Sequence, residues 1–212
     1  RSDGTGAVDI NAIDTSAQSY SLAVTGGSIA TESITVGNAR SLSLTANSGN
    51  IDDAMAGTLT ASNGTITLRA DDVTFGGNMN IDAGAGTVNL LPNAGRTIGV
   101  ATATVLDFNI GQNEVDDITA GTLVIGDSMS GAMTVGNVDA TGQAANLELR
   151  TGGAVIAENF ATNVTAANSV TLSAAGDIGS GAQRLAIDTP NLSLTTTGMG
   201  SDMFIQTKAA ST

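Results

Sequence analysis

Pairs of apolar residues, each pair separated by a single residue, recur along the whole chain. The first members of these pairs are 20 to 24 residues apart, except for one step of 35 residues between Val88 and Leu123. Because side chains of a strand alternate between two faces, this spacing predicts short strands with one buried face in a stacked repeat. The pairs are Leu22–Val24, Leu42–Leu44, Ile66–Leu68, Val88–Leu90, Leu123–Ile125, Leu147–Leu149, Val170–Leu172 and Leu192–Leu194.

Turn residues divide each repeat into two or three strands. In residues 22–44, the dipeptides Gly26-Gly27 and Gly37-Asn38 separate the apolar segments. Antiparallel hairpins would also give short strands joined by Asn and Gly turns. Parallel stacking is favoured, because the pattern recurs in the same order in each repeat and is not mirrored. The predicted fold class is all-β, a right-handed parallel β-helix (solenoid) of eight to nine coils about 4.8 Å apart.

The 35-residue step contains a segment that departs from the repeat. Ile98 and Val100, and then Val105–Phe108, have the pattern of strands, whereas Val115 and Ile118 have helical spacing with acidic residues beside them. We therefore predict a loop or short helical excursion at residues 107–121. It would interrupt a single β-helix repeat segment that spans residues 1–212 and belongs to a longer chain.

Composition agrees with a narrow aliphatic core. Apolar residues make up 41% of the chain, but aromatic residues only 2%, so Ala, Val, Ile and Leu must fill the interior. Two prolines suit a fold in which nearly every strand donates backbone hydrogen bonds to a neighbour. No stretch is apolar for 18 residues, so no transmembrane helix is expected.

The charge of the chain bears on its partners. The formal net charge is −13, and the seven basic residues are spread along the sequence without a cluster. Nucleic acid requires a concentrated basic patch, so no nucleic-acid partner is expected. A strongly acidic surface would instead keep the protein soluble.

The residues that could carry catalysis are few. Histidine is absent, which excludes Ser-His-Asp triads and HExxH zinc sites. The adjacent carboxylates Asp52-Asp53, Asp71-Asp72 and Asp116-Asp117 could suggest glycoside hydrolysis or calcium binding. Neighbouring residues of a strand point to opposite faces, so one such pair does not form a hydrolase site, and we interpret all three as turn carboxylates. No catalytic, cofactor-binding or metal-binding residue is predicted, no cofactor is expected, and the chain is not predicted to be an enzyme.

Three other residue types have alternative interpretations. Thr-x-Thr pairs could form an ice-binding hydroxyl ladder, or could simply reflect the β-propensity of Thr on an exposed face. Arg69 and Arg150 each follow the second residue of an apolar pair and should face outward. The aromatic residues are predicted to fill the core or plug loops. The Thr pairs are Thr58–Thr60, Thr65–Thr67, Thr102–Thr104 and Thr195–Thr197, and the aromatic residues are Tyr20, Phe75, Phe108, Phe160 and Phe204.

Several segments share a recurrent block. They are Glu114–Asp127 followed by Ser130–Val135, then Asn146–Val155, and Ala174–Ser180 continued by Arg184-Leu185 and Asn191–Leu194. These segments resemble the repeats of filamentous-haemagglutinin-type bacterial exoproteins. The resemblance implies a right-handed parallel β-helix, export by two-partner secretion or as an autotransporter passenger, and a role in adhesion, aggregation or biofilm formation. The Asn-Pro-Asn motifs of the family's amino-terminal secretion domain are not present, which implies an interior passenger segment.

The function expected from these observations is that of a structural stalk or adhesin segment of a bacterial cell-surface or secreted fibre. Its partners would be further copies joined end to end, or a host or neighbouring-cell surface or glycan, at an extracellular or outer-surface location. One alternative is a self-assembling extracellular filament protomer. The other is a polysaccharide-degrading β-helix enzyme. A lyase of this kind needs a basic side chain as catalytic base, and Lys208 is the only lysine of the chain.

Overall fold

The computed structural model describes residues 5–53, 57–75, 79–160 and 162–208 of the chain. These ranges are all-β apart from one five-residue helix. The first twelve strands are β1 (Val8–Ile10), β2 (Ile13–Thr15), β3 (Leu22–Gly26), β4 (Ile29–Thr31), β5 (Ile34–Val36), β6 (Ser41–Ala46), β7 (Ile51–Asp53), β8 (Thr58–Thr60), β9 (Thr65–Ala70), β10 (Val73–Thr74), β11 (Asn80–Asp82) and β12 (Thr87–Pro92).

The later elements begin with the segment that the sequence pattern marks as irregular. In chain order they are β13 (Ile98–Val100), β14 (Phe108–Ile110), α1 (Gln112–Asp116), β15 (Ile118–Ile125), β16 (Met133–Val135), β17 (Val138–Asp139), β18 (Ala144–Thr151), β19 (Val155–Ala157), β20 (Asn163–Thr165), β21 (Ser169–Ala174), β22 (Leu185–Asp188), β23 (Asn191–Thr196) and β24 (Ile205–Thr207).

The strands form two compact units. Unit 1 holds the described residues up to Asn93 together with Asp117–Val124. Its strands lie in three parallel ladders, β1-β4-β7-β10, β2-β5-β8-β11-β15 and β3-β6-β9-β12. Successive strands visit the first, second and third ladder in turn, so three strands make one coil and each coil stacks on the previous one.

Unit 2 holds Ala94–Asp116 and the described residues from Ile125 onward. It also has three parallel ladders, β14-β13-β16-β19, β17-β20-β22-β24 and β18-β21-β23. Isolated parallel bridges from Val155 to Ile178 and from Ile178 to Met203 continue the first of these ladders. The stacked coils of the two units amount to about nine turns of β-solenoid, which confirms the predicted all-β parallel fold. Its right-handedness stays a prediction.

The core of each unit consists of aliphatic columns that run from coil to coil. In unit 1, Leu42 pairs in register with Ile66, and Ile66 with Val88, and all three side chains are fully buried. In unit 2, Leu147 pairs with Val170, and both are fully buried. Burying one such side chain contributes about 1.5–3 kcal/mol relative to leaving it exposed. The apolar-x-apolar pairs therefore mark the inward face, as predicted.

The first and last pairs of the series are only half-buried. Leu22 and Val24 lie on β3, which pairs with β6 alone, and Leu192 and Leu194 lie on β23, which pairs with β21 alone. A side chain of a stacked coil is covered by the coils on both sides. Within the described residues these four side chains have a neighbouring coil on one side only, which explains their partial exposure.

The turn before the third strand is so tight in two successive coils that only glycine fits. A Cβ at Gly86 would overlap the backbone carbonyl of Gly64, and a Cβ at Gly64 would overlap the carbonyl of Arg40. The backbone at these turns is held close because the amide of Thr87 donates to the carbonyl oxygen of Gly64 at 2.9 Å. Glycine is therefore required here by the close approach of successive coils.

The irregular segment differs in detail from the sequence prediction. Phe108–Ile110 is a strand, but Val105 lies in a loop and is 88% exposed, so the predicted strand over Val105 and Leu106 is wrong. Helix α1 ends at Asp116, and Ile118 already begins β15. Of the two residues with helical spacing, Val115 is fully buried on α1, whereas Ile118 lies on a strand.

Candidate functional site

The adjacent carboxylate pairs lie within or beside the regular elements of the coils. Asp52 and Asp53 are half-buried on β7, so the interpretation of this pair as turn carboxylates is wrong. Asp53 accepts a hydrogen bond from the amide of Gly57 at 3.1 Å. Asp71 follows β9 and accepts a hydrogen bond from the Asn93 side chain at 2.9 Å. Asp116 is the last residue of α1. In the described part of the chain, no group of three or more His, Cys, Asp or Glu side chains is arranged to hold a metal ion.

Polar side chains converge around a surface groove in unit 2, which has a volume of about 750 Å³. Helix α1 forms one wall, strands β17 and β20 form the floor, and the turn after β17 forms the other wall. We call it the α1 groove. Its lining residues are Gln112, Asp116, Asn137, Val138, Asp139, Thr141, Gly142, Gln143, Asn163 and Thr165.

A side-chain clamp holds α1 against the floor of the α1 groove. The Gln112 carboxamide donates from Nε2 to the backbone oxygen of Asp139 at 2.8 Å and accepts from the Asp139 amide at 2.9 Å. The same Nε2 also donates to Asp116 Oδ1 at 2.7 Å. Because β17 is an edge strand of its ladder, the amide of Gln112 takes the place of a neighbouring strand there.

The remaining walls are ordered by short local hydrogen bonds. Asp139 Oδ1 accepts from the amide and the hydroxyl of Thr141, at 3.0 and 2.7 Å, and so shapes the turn. Asn137 Oδ1 accepts from the Asn163 amide at 2.9 Å, and Gln143 Oε1 accepts from the Gly142 amide at 3.1 Å. The oxygen atoms of both carboxamides are thus held. Among the described residues, Asn137 Nδ2 and Gln143 Nε2 have no hydrogen-bond partner.

A second polar cluster in unit 2 fixes the loop between β13 and β14. The carboxylate of Glu158 accepts hydrogen bonds from the Thr102 hydroxyl, the Ala103 amide at 2.7 Å and the Thr104 amide at 3.2 Å. These donors, above all the Thr102 hydroxyl, stabilise the ionised form and lower the pKa of Glu158. All its partners belong to one loop, so the arrangement is structural: it orders the residues that directly precede Val105.

Stacked asparagines form a third arrangement that the sequence reasoning missed. Asn168 Nδ2 donates to Asn146 Oδ1 at 2.7 Å, and Asn191 Nδ2 donates to the Asn168 backbone oxygen at 2.9 Å. In unit 1, Asn63 makes the same contact with Asn38 at 2.9 Å. The signal was present, because Asn146, Asn168 and Asn191 recur at the repeat spacing just before the apolar pairs. These contacts link successive coils.

Two arginines, Arg69 and Arg150, were predicted to face outward from the coils. Arg150 is exposed and pairs with Glu148, as expected for an outward side chain. Arg69 is half-buried and donates to the Pro92 oxygen at 2.7 Å.

The threonine pairs do not share one surface. Thr58–Thr60 lies on β8 and Thr65–Thr67 on β9. Thr102–Thr104 belongs to the loop bound by Glu158, and Thr197 follows the end of β23. The hydroxyls therefore do not form a single ladder of the ice-binding kind.

The aromatic residues differ in burial, and Phe204 is half-buried. Phe108 and Phe75 are buried, as predicted for core fillers. Tyr20 and Phe160 are 66% and 81% exposed, so the prediction that they fill the core or plug loops is wrong for these two side chains. None of the aromatic residues lines the α1 groove.

Comparison with known proteins identifies no relative of this chain. Neither the protein-family models, nor curated proteins, nor solved structures give a match to the chain. Among the described residues, no helix has the length and apolar character needed to cross a membrane.

Proposed function

We propose that this chain is a scaffold segment of a bacterial extracellular fibre, in which stacked coils carry loops and a groove that serve adhesion. The observation that carries the proposal is the coil-to-coil continuity of the columns. Residues at equivalent positions pair in parallel register in successive coils, as in Leu42–Ile66–Val88. Such a core grows linearly with each added coil and has no need of a central globular domain.

Two further observations support this proposal. The sequence blocks from Glu114 onward resemble the repeats of filamentous-haemagglutinin-type exoproteins, whose roles are adhesion, aggregation and biofilm formation. The features that interrupt the regular coil, α1 and the loop held by Glu158, both lie in unit 2 and present exposed side chains. Recognition on a scaffold of this kind belongs to such irregular segments.

An adhesion assay tests the proposal directly. Beads coated with the 212-residue chain should be retained on bacterial or epithelial cell layers more strongly than beads coated with an unrelated acidic protein of similar charge. The same chain should release no products from neutral or uronate polysaccharides. Retention no better than the control would remove the adhesive role, and sustained product release would replace the scaffold role with an enzymatic one.

A second candidate function, a self-assembling filament protomer, is favoured by the edge strand β23. Among the described residues β23 pairs with β21 alone, and it presents Leu192 and Leu194 half-buried. A strand edge that presents apolar side chains can pair with another chain. Sedimentation velocity at several concentrations separates the two functions. Concentration-dependent polymers that the Leu194→Lys variant abolishes would favour the filament, and a monomer at all concentrations would exclude it.

A further inference from the structure

We propose that the α1 groove binds a neutral saccharide, an inference that rests on the adhesive function proposed above and names its ligand class. The groove presents hydrogen-bond donors and acceptors of several kinds close together. Carboxylate oxygens come from Asp116 and Asp139, and amide donors come from Asn137 and Gln143. A sugar hydroxyl both donates and accepts, so adjacent hydroxyls of a pyranose match a wall that offers both functions.

The charge of the groove selects among ligands. Asp116 and Asp139 are both exposed, and none of the lining residues is basic. Two carboxylates without a basic partner oppose sialylated or uronate-containing sugars, phosphates and nucleic acid by like-charge repulsion. A simple cation would be served by the carboxylates alone and would leave the two amide donors unused. The mixed lining therefore favours an uncharged polyhydroxyl ligand.

The hydrogen bonds already described preorganise these groups. The Asn137 and Gln143 oxygens are held by the amides of Asn163 and Gly142, so each carboxamide is oriented with its NH₂ group unpartnered. The clamp from Gln112 to Asp139 fixes the distance between the helix wall and the floor. A site whose polar groups are ordered before binding loses less conformational entropy when the ligand arrives.

The absence of an aromatic residue among the lining residues limits affinity for a single sugar. We expect weak monovalent binding that becomes strong when several copies of the chain engage a surface together. Multivalent display can raise apparent affinity by about 10²–10⁴-fold without a new contact. This dependence suits a fibre that presents many copies to a glycan-covered surface.

The test uses the full chain, biotinylated and tetramerised on streptavidin, on an array of neutral gluco-, galacto- and manno-configured oligosaccharides with sialylated and uronate oligosaccharides as comparators. The variant N137D/Q143E keeps the oxygens that accept from Asn163 and Gly142 but removes the amide donors. Gln143→Met removes one donor without adding charge, in case the double variant fails to fold. Gln206→Glu and Gln206→Met are matched controls, because Gln206 is exposed on β24 and lies outside the groove.

The expected result is binding to at least one neutral sugar that falls at least tenfold in N137D/Q143E and in Gln143→Met, and is unchanged in the Gln206 variants. Binding that the groove variants leave intact would overturn the site. A preference for acidic sugars would overturn the ligand class. So would the absence of neutral-sugar binding together with binding of spermidine or Ca²⁺ that becomes tighter in N137D/Q143E. If no sugar binds but coated beads still adhere to cells, the groove proposal fails and the scaffold function stands.

Discussion

The side chain of Gln112 pairs with the backbone of Asp139 in both directions, donating to its oxygen at 2.8 Å and accepting from its amide at 2.9 Å. A strand edge is normally satisfied by another strand. Here a single carboxamide on α1 satisfies one residue of the β17 edge and thereby fastens the helix to unit 2.

Replacing Gln112 with Ala should therefore destabilise unit 2. The Asp139 amide and carbonyl would lose this partner and become hydrated, because both hydrogen bonds lie at an exposed position. The expected cost is about 0.5–1.5 kcal/mol in the free energy of unfolding. Urea denaturation followed by circular dichroism measures this change. Asn113→Ala is the control, because Asn113 is exposed on the same helix. Equal stability of the two variants would show that the clamp does not hold α1.

Leu147→Asp tests the aliphatic columns. Leu147 is fully buried against Val170, so the substitution puts a carboxylate into a dry core and should lower the free energy of unfolding by more than about 3 kcal/mol. The effect should reach the neighbouring coils, because they share the column. Ser193→Asp, on the exposed face of β23, is the control and should be nearly neutral. Wild-type thermal stability in Leu147→Asp would contradict the inward assignment.

Gly86→Ala tests the close approach of successive turns. The added Cβ would overlap the carbonyl of Gly64, and displacing backbone in a packed stack costs about 1–3 kcal/mol. Gly142→Ala adds the same methyl group where nothing lies within 4 Å, so its stability should remain within about 0.5 kcal/mol of wild type. Chemical denaturation of both variants decides the point, and a Gly86→Ala protein as stable as Gly142→Ala would refute the steric argument.

The loop held by Glu158 should depend on pH. The pKa of Glu158 is lowered in the folded state, chiefly by the Thr102 hydroxyl. Stability from this carboxylate is therefore fully present above the unfolded-state value of about 4.3 and is lost as the pH falls through the lower folded-state pKa. Amide chemical shifts of Ala103 and Thr104, followed by NMR from pH 6 to pH 2.5, should titrate together below about 4.3.

A variant isolates the contribution of the Glu158 carboxylate to that titration. Glu158→Gln cannot ionise, so the joint titration of Ala103 and Thr104 should disappear in it. A midpoint above the ordinary glutamate value in the wild-type protein would show that the loop does not stabilise the ionised form.

The periodic apolar pairs predicted which side chains point inward, because alternation along a strand follows from backbone geometry alone. The pairs from Leu42 to Leu172 lie on the core face for this reason. Parallel stacking was also predictable, because strands and turns recur in the same order in each repeat and are not mirrored. Leu22 and Leu192 are half-buried because, within the described residues, a neighbouring coil covers them on one side only. The sequence of a single repeat does not show how many coils cover a side chain.

The α1 groove required the tertiary structure. Gln112, Asp139 and Asn163 are 24 to 27 residues apart in sequence, and each is an ordinary polar residue with no motif around it. They converge because α1 lies against β17 and β17 pairs with β20, and both contacts depend on the coil path. The loop of Val105 is similar, because its apolar residues predicted a strand. Glu158, more than 50 positions later, binds the preceding amides of Ala103 and Thr104 in that loop.

The sequence by itself determined the parallel coils, their aliphatic interior and their acidic surface, because these follow from local alternation, repeat spacing and composition. Only the tertiary structure decided where the repeat is interrupted and which polar groups meet there. The physical reason is that hydrogen bonds such as the one between Gln112 and Asp139 join residues from different coils. Their partners are chosen by the stacking of coils and not by neighbouring residues in the chain.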